Sequence, residues 1–207
     1  LSDQYLAESF TNIEFPDASG EPPDRGRIFK SGVDASPGRY AYSPDGVSPR
    51  IIPGRSGTLA RADSDEHGEE GHITELAEVR VKMTQKRLHL KQAGLAKEVL
   101  PPTVVNPGAK TMLCGFGSTL GVMREACAAV KDAGFMHYSQ IWPFPEAATL
   151  AALKGAGRVL TVENNATGQL ARLIRRETGL KTAGSVLKND GRPFTLDEVL
   201  AALKGGI

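Results

Sequence analysis

The chain has 207 residues, 40% of them hydrophobic and 24% charged, with a formal net charge of +1 at pH 7. That length holds one well-buried domain with an appendage, or two small ones, and the near-neutral balance excludes a general attraction to nucleic acid or to an anionic membrane surface. No apolar run approaches the roughly 18–20 residues of a membrane span, and the amino terminus lacks the basic-then-apolar order of a signal peptide.

In chain order, the sequence begins at Leu1 without an initiator methionine, which is expected of a fragment. From Pro16 to Gly57 prolines and glycines recur in Pro22-Pro23, Ser36-Pro37-Gly38, Pro44-Asp45-Gly46 and Pro53-Gly54, so the segment reads as an extended arm. Phe29, Tyr40, Tyr42, Val47, Ile51 and Ile52 are too apolar for an inert linker. The arm is therefore expected to pack, on its own domain or on a partner.

An acidic turn at Asp63 to Glu70 precedes a helix expected over Thr74 to Gln92. Leu76, Val79, Met83 and Leu90 share one face of it, and Arg80, Lys82, Lys86, Arg87 and Lys91 lie mostly off that face. Pro101-Pro102 ends this segment, and Asn106-Pro107-Gly108 opens the next.

From Lys110 the pattern alternates. Strands are expected at 111–115, 135–141, 158–162 and 182–187, with helices at 120–131, 146–153 and 168–177. Thr195 and Glu198 have the capping-box spacing that opens a last helix. Such alternation implies an α/β fold with a mostly parallel sheet covered on both faces.

Several clusters are chemical candidates. Gly115-Phe116-Gly117-Ser118-Thr119-Leu120-Gly121 links a strand to a helix, so the backbone around Gly117, Ser118 and Thr119 is either a tight structural turn or an anion or cofactor-tail site. Its glycine spacing is one residue too long for a dinucleotide fingerprint, and no carboxylate ends the second strand. In the acidic turn Asp63, Asp65 and Gly68 fit a calcium loop, but Thr74 stands where a bidentate carboxylate is required. His67 and His72 are five residues apart with no third soft ligand nearby. A solvated turn is the reading, with a loop facing an active site as the alternative.

The remaining features are weaker as chemistry. Cys114 and Cys127, thirteen residues apart, cannot hold an iron-sulfur cluster alone and form neither a disulfide framework nor a zinc site, which suggests a reducing cytoplasm. His137 reads as a satisfied core residue, and Trp142 and Phe144 as caps on a core. Glu163, Asn164, Asn165 and Gln169 follow a strand, where they satisfy loop amides or face another subunit. No independent catalytic constellation is visible.

Four motifs, Gly115-Phe116-Gly117-Ser118-Thr119, Trp142-Pro143-Phe144-Pro145, the run Val162 to Leu170 and the run Lys188 to Phe194, resemble in order the C-terminal domain of the alpha subunit of 2-oxoacid:ferredoxin oxidoreductases, the 2-oxoglutarate type especially. Leu1 to Leu6, Asp45 to Arg50, Asp65 to Thr74 and Lys82 to Arg87 extend the likeness through nearly the whole chain; Gly68 and Asn189 depart from it, since relatives often carry Asp and Tyr there.

The resemblance implies a transketolase C-terminal-like, three-layer α/β/α sandwich around a five-stranded mixed sheet at 107–207. Ahead of it come the exit from a thiamine-pyrimidine domain at 1–15, the arm and acidic turn at 16–72, and the basic amphipathic helix and linker at 73–106. The fifth strand is not identified in the sequence, and the arm is one source for it. The resemblance further implies oxidative decarboxylation of a 2-oxoacid to its acyl-CoA with electrons passed to ferredoxin, or the reverse.

It implies no cofactor in this fragment. Thiamine diphosphate, magnesium and an iron-sulfur cluster are expected in the whole complex, whose partners are a beta subunit, a second alpha-beta unit and ferredoxin, with no nucleic acid or membrane. The fragment alone is expected to be inactive, with no catalytic or metal-binding residue. Arg50 and His67 are candidates for substrate or CoA contact, and Gly117, Ser118, Thr119, Glu163, Asn164 and Gln169 for an interface or anion turn. The readings from other classes are a small-molecule or nucleotide-binding α/β domain and a purely structural assembly domain.

Overall fold

The computed structural model describes residues 10, 12, 14–17, 19–20, 22–29, 38–55 and 59–205. Leu1 to Leu6 and the Ser36-Pro37 turn lie outside the described residues. The chain forms two compact units, one of Ile13–Glu98 and one of Leu1–Asn12 with Val99–Ile207.

The larger unit is built on strands β1 (Thr103–Val105), β2 (Thr111–Phe116), β3 (Ala133–Tyr138), β4 (Arg158–Glu163) and β5 (Gly184–Leu187), in the order β1-β3-β2-β4-β5. β1 runs antiparallel to β3, and every other pairing is parallel. The fifth strand thus comes from the stretch between Pro102 and Asn106, not from the arm. Three residues are too few to show an alternation of their own, and β1 exists only through its register with Phe135, Met136 and His137.

Side-chain alternation along the strands divides the core into two layers. Met112, Cys114, Met136, Tyr138 and Val159 face a layer completed by Leu153, Leu170 and Ile174. Leu113, Phe135, Leu160 and Val162 face Met123, Ala126, Val199 and Leu203. The helices Glu146–Leu153 and Gln169–Thr178 therefore cover one face, and Leu120–Ala129 and Leu196–Leu203 cover the other, completing an α/β/α sandwich.

The last helix starts with the expected capping box. Glu198 N donates to Thr195 Oγ1 at 3.4 Å, and Thr195 N donates to Glu198 Oε2 at 2.8 Å. Thr195→Ala should cost about 1 kcal/mol in denaturant unfolding; an unchanged midpoint would show that packing of Val199 and Leu203 alone sets this helix.

The smaller unit is organised by one continuous helical rod, which we divide into α1 (Ala77–Gln85), a π-helical turn (Lys86–Leu90) and α2 (Lys91–Leu95). The four helices of the sandwich are α3 (Leu120–Ala129), α4 (Glu146–Leu153), α5 (Gln169–Thr178) and α6 (Leu196–Leu203).

The apolar stripe read from the sequence is buried only in part. Leu76 is 57% exposed and Leu90 39%, whereas Met83 and Lys86 are buried at 1% and 3%. Lys86 turns inward because the arm offers it oxygen ligands: its Nζ donates to the Tyr40 carbonyl, to the Ala41 carbonyl at 3.0 Å and to Ser48 Oγ at 2.5 Å. Burial holds its ammonium down to a pKa of about 8. Gly46 makes the approach of the arm possible, since a Cβ there would lie 2.9 Å from Leu90 Cβ and from Lys91 N. The arm therefore packs on its own unit's helix.

Candidate functional site

In a doubly covered parallel sheet, ligand sites form where neighbouring strands send their connections to opposite sides. Here that point lies between β2 and β4, because the chain leaves β2 for β3 on one side and returns across it to β4 on the other. A cavity of about 500 Å³ opens there, lined by Gly117 and Ser118 after β2, Asn164 after β4, and Leu120, Pro193 and Phe194. The structure thus unites three of the residues expected at separate junctions.

The two junctions are shaped by their own bonds. Gly115 abuts helix α3 closely, since a Cβ there would collide with Thr119 Oγ1 and stand 2.8 Å from Met123 Cε. Thr119 is buried and donates through Oγ1 to the Phe116 carbonyl at 3.0 Å. His137, also buried, donates Nε2–H to the Gly117 carbonyl at 2.9 Å, and desolvation lowers its pKa and favours the neutral ring. His137 so acts as a core residue that fixes the turn. Both the glycine spacing and the hydroxyl contribute to a tight structural corner.

After β4 the expected interface residue Glu163 is turned fully inward, at 0% exposure. Its Oε2 accepts Leu170 N at 2.7 Å and Asn165 Nδ2 at 2.8 Å, and its Oε1 accepts Ala171 N at 3.1 Å. Asn165 Oδ1 accepts Thr167 N at 3.0 Å and Gln169 N at 3.3 Å. The chain's own carboxylate and amide therefore occupy the positive end of α5, where an external anion would otherwise sit. Of the residues expected at this junction Glu163 is buried, whereas Asn164 and Gln169 are exposed. Asn164 Nδ2 reaches the Arg192 carbonyl at 3.4 Å, tying the junction to the Lys188 to Phe194 loop.

The aromatic pair after β3 divides in role. Phe144 packs on Tyr138 with ring centroids 5.5 Å apart, as a core residue. Trp142 is instead 52% exposed, with the Arg176 guanidinium 5.6 Å from its ring.

In the smaller unit the acidic turn is a closed hairpin. His67 and Ile73 form an antiparallel bridge, and Thr74 N donates to the Glu66 carbonyl at 2.9 Å. Glu66 takes a bidentate pair from Arg87 at 3.0 and 2.7 Å, which holds its carboxyl below the ordinary range. Glu69 accepts Tyr42 N at 2.9 Å. His67 donates Nδ1–H to the Asp65 carbonyl at 3.0 Å and packs on Tyr40 with centroids 4.1 Å apart. Two of the carboxylates expected in solvent are thus structural ties.

Arg50 is held by its backbone, with Arg50 N donating to the Arg27 carbonyl at 2.7 Å and its own carbonyl accepting Phe29 N at 3.0 Å. Its side chain is exposed and lines a second cavity of about 500 Å³ with Arg25 and Arg39. His67 does not line that cavity. Sequence reasoning did not single out Arg25 and Arg39, because the three arginines lie well apart along the arm and no motif links them.

Neither the cluster nor the thiamine cofactor implied by the resemblance fits the described residues. Cys114 and Cys127 stand in the sandwich, where burial raises their thiols to about 12 and about 11, and no group of three or more His, Cys, Asp or Glu converges among the described residues. Glu163, the one fully buried carboxylate among them, has both oxygens committed to the chain's own donors. No described helix is long and apolar enough to cross a membrane.

Residues 109–199 match the family described as pyruvate:ferredoxin oxidoreductase core domain II. Over 98% of its length the chain is 30% identical to subunit alpha of 2-oxoacid:ferredoxin oxidoreductase 1 of Sulfurisphaera tokodaii, and over 99% it is 32% identical to subunit alpha of 2-oxoacid:ferredoxin oxidoreductase 2 of Aeropyrum pernix. It spans 33% of each of these relatives. A solved 2-oxoglutarate:ferredoxin oxidoreductase of Magnetococcus marinus, with 2-oxoglutarate, coenzyme A and succinyl-CoA bound, superposes with a TM-score of 0.73 at 29% identity, covering 84% of this chain and 32% of that one. By sequence and by fold, the chain belongs to the family of 2-oxoacid:ferredoxin oxidoreductase alpha subunits, of whose length it spans about a third.

Proposed function

We propose that this chain supports, within an alpha subunit, the CoA-dependent oxidative decarboxylation of a 2-oxoacid with electrons passed to ferredoxin, and that 2-oxoglutarate is the preferred oxoacid. The likeness to the 2-oxoglutarate:ferredoxin oxidoreductase over 84% of the chain carries this reading. The chain's part is assembly and ligand contact. Thiamine diphosphate, magnesium and an iron-sulfur cluster would be held by other segments and by a beta subunit, and residues 1–15 would connect to a thiamine-pyrimidine domain. The free thiols accord with a cytoplasmic setting.

Two surfaces serve the assembly. Asn164 and Gln169 present exposed amides at the sheet's carboxyl edge, and Arg80, Lys82 and Lys91 present exposed charge on the helical rod. The double substitution Asn164→Ala and Gln169→Ala should weaken association with the beta subunit or a second alpha-beta unit and leave the melting temperature of this chain nearly unchanged. Intact association with a lowered melting temperature would assign both residues to folding.

Arg50 is the proposed anion contact, and His67 a neighbour of the same unit that shapes the loops around Tyr40. Arg50→Lys in the assembled enzyme should raise KM for 2-oxoglutarate or CoA, because a lysine cannot reproduce a bidentate guanidinium contact. Stability should stay within about 0.5 kcal/mol, as for a surface change. Unchanged KM values for both compounds would remove Arg50 from ligand binding.

A further inference from the structure

Trp142, the chain's single tryptophan, is 52% exposed, although a residue of its size is well covered in most folds. Its backbone is tied down all the same. Gln140 Nε2 donates to the Trp142 carbonyl at 3.4 Å, and Gln140 Oε1 accepts Leu100 N at 3.2 Å. Leu100 is itself 62% exposed. One glutamine side chain thus holds two exposed apolar residues together at the carboxyl edge of the sheet, where β3 ends and antiparallel β1 begins.

The helix beside them is cationic. The Arg176 guanidinium lies 5.6 Å from the centre of the Trp142 ring, so α5 flanks this patch. That helix turns Leu170 and Ile174 into the core and leaves Arg172, Arg175 and Arg176 exposed on one face, since residues three and four apart are neighbours on a helix. Glu177 is the one acid in α5, and it pairs with Arg176 at 2.6 Å. Arg172 and Arg175 have no ion-pair partner among the described residues.

Tryptophan and arginine are the side chains that most often anchor protein interfaces, the first through its large rigid area and the second through bidentate bonds to carboxylates. A second copy of the chain would bring like charge to like on this face. The matching surface carries carboxylates around an apolar recess that receives Trp142. The patch is small and positively charged, which suits an encounter that forms and breaks, steered by charge, better than a permanent contact with a broad apolar centre. An iron-sulfur carrier fits this description, because four cysteine thiolates and the sulfides of its cluster outweigh the charge of the irons.

We propose that Trp142, Leu100 and the Arg172, Arg175 and Arg176 face of α5 form a docking surface for a small acidic protein, the ferredoxin of the oxidoreductase reaction. The identification of the partner as ferredoxin rests on the oxidoreductase reading; the acidic chemistry of the partner does not.

The test is steady-state kinetics of the assembled enzyme with ferredoxin and, separately, with methyl viologen, a small cationic acceptor that needs no protein surface. Trp142→Ala, and Arg172→Gln combined with Arg175→Gln, should each raise KM for ferredoxin about tenfold, the loss expected of interface anchors. Both should leave the rate with methyl viologen unchanged. In the parent, KM for ferredoxin should rise with salt more steeply than in the double variant. Arg124→Gln, at an exposed arginine on α3, should leave it unchanged. Hydroxyl-radical footprinting should oxidise Trp142 in the assembled enzyme and spare it once ferredoxin is added. The proposal is overturned by an unchanged KM for ferredoxin in both variants, by an equal loss in Arg124→Gln, or by an equal loss with methyl viologen. It is also overturned if Trp142 is protected before ferredoxin is added, which would make it a permanent subunit contact. An enzyme holding its cofactors that reduces neither acceptor with any 2-oxoacid removes the oxidoreductase reading. Calorimetric binding of ferredoxin to that same assembly, lost in both variants, would then uphold the docking surface, and its absence would overturn it.

Discussion

Replacing Glu163 by alanine should cost the larger unit about 3 kcal/mol, the range expected when buried donors lose a charged acceptor. The carboxylate is wholly buried and serves Leu170 N, Ala171 N and Asn165 Nδ2 at once. Its removal leaves the first turn of α5 with two orphaned amides beside a hole where the side chain stood. Glu163→Gln keeps the volume but presents one acceptor oxygen and one amide group to the same donors, so its loss should be intermediate. Denaturant unfolding followed by a probe confined to the larger unit measures both. If Glu163→Ala stays within about 0.5 kcal/mol of the parent, the carboxylate is not what sets the junction, and the placement of Asn164 at the crevice needs another cause.

Lys86→Ala should be the most damaging change in the smaller unit, with a loss of about 2–3 kcal/mol from its charge-assisted bonds and its packed aliphatic stem. The lysine joins the rod to both the Tyr40-Ala41 segment and Ser48. Hydrogen exchange at 40–50 should accelerate in the variant. The pH dependence has a defined sign. Burial lowers the native pKa from 10.5 to about 8, so between these values the unfolded chain binds more protons than the native one. The contribution favours the folded state above pH 10.5 and is lost as pH falls through 8. The stability difference between parent and Lys86→Ala should therefore widen as pH rises from 8 to 10.5; a difference that is flat over that window would mean the ammonium is hydrated in the native state.

Much of the sandwich was legible because its elements are long enough to show a period. The helix 146–153 has the bounds expected, and the strands after Lys110 shift by a few residues at most. Thr195 and Glu198 announced their helix through a local bond that needs no tertiary context. β1 was not legible, since Thr103-Val104-Val105 between prolines is defined only by pairing with β3. Lys86 was placed off the apolar face because a lysine at helical spacing reads as solvated, and only carbonyls 45 and 46 residues away make its burial tolerable.

The site was legible in part. The two loop junctions were visible as strand-to-helix turns, and their union at one crevice follows from strand order, which no local pattern encodes. Glu163 did carry a signal: a carboxylate at a strand's last residue, followed by Asn-Asn and a glycine before a helix, is positioned to cap that helix from behind. The arginine cavity had none, because Arg25, Arg39 and Arg50 lie far apart in an irregular arm, with Arg50 placed by its bridge to Ile28 and Arg39 beside the close approach of Gly38 to Glu69.

The alpha-subunit assignment is tested most directly by an anaerobic assay of the assembled enzyme containing this sequence, loaded with thiamine diphosphate, magnesium and its iron-sulfur cluster, in which reduction of a ferredoxin is followed as oxoacids are varied. Reduction should require both a 2-oxoacid and CoA, should be fastest with 2-oxoglutarate, and should yield succinyl-CoA in step with two electrons per CO2 released. Failure of every 2-oxoacid to reduce ferredoxin in a complex shown to hold its cofactors, or reduction that proceeds equally without CoA, would contradict it.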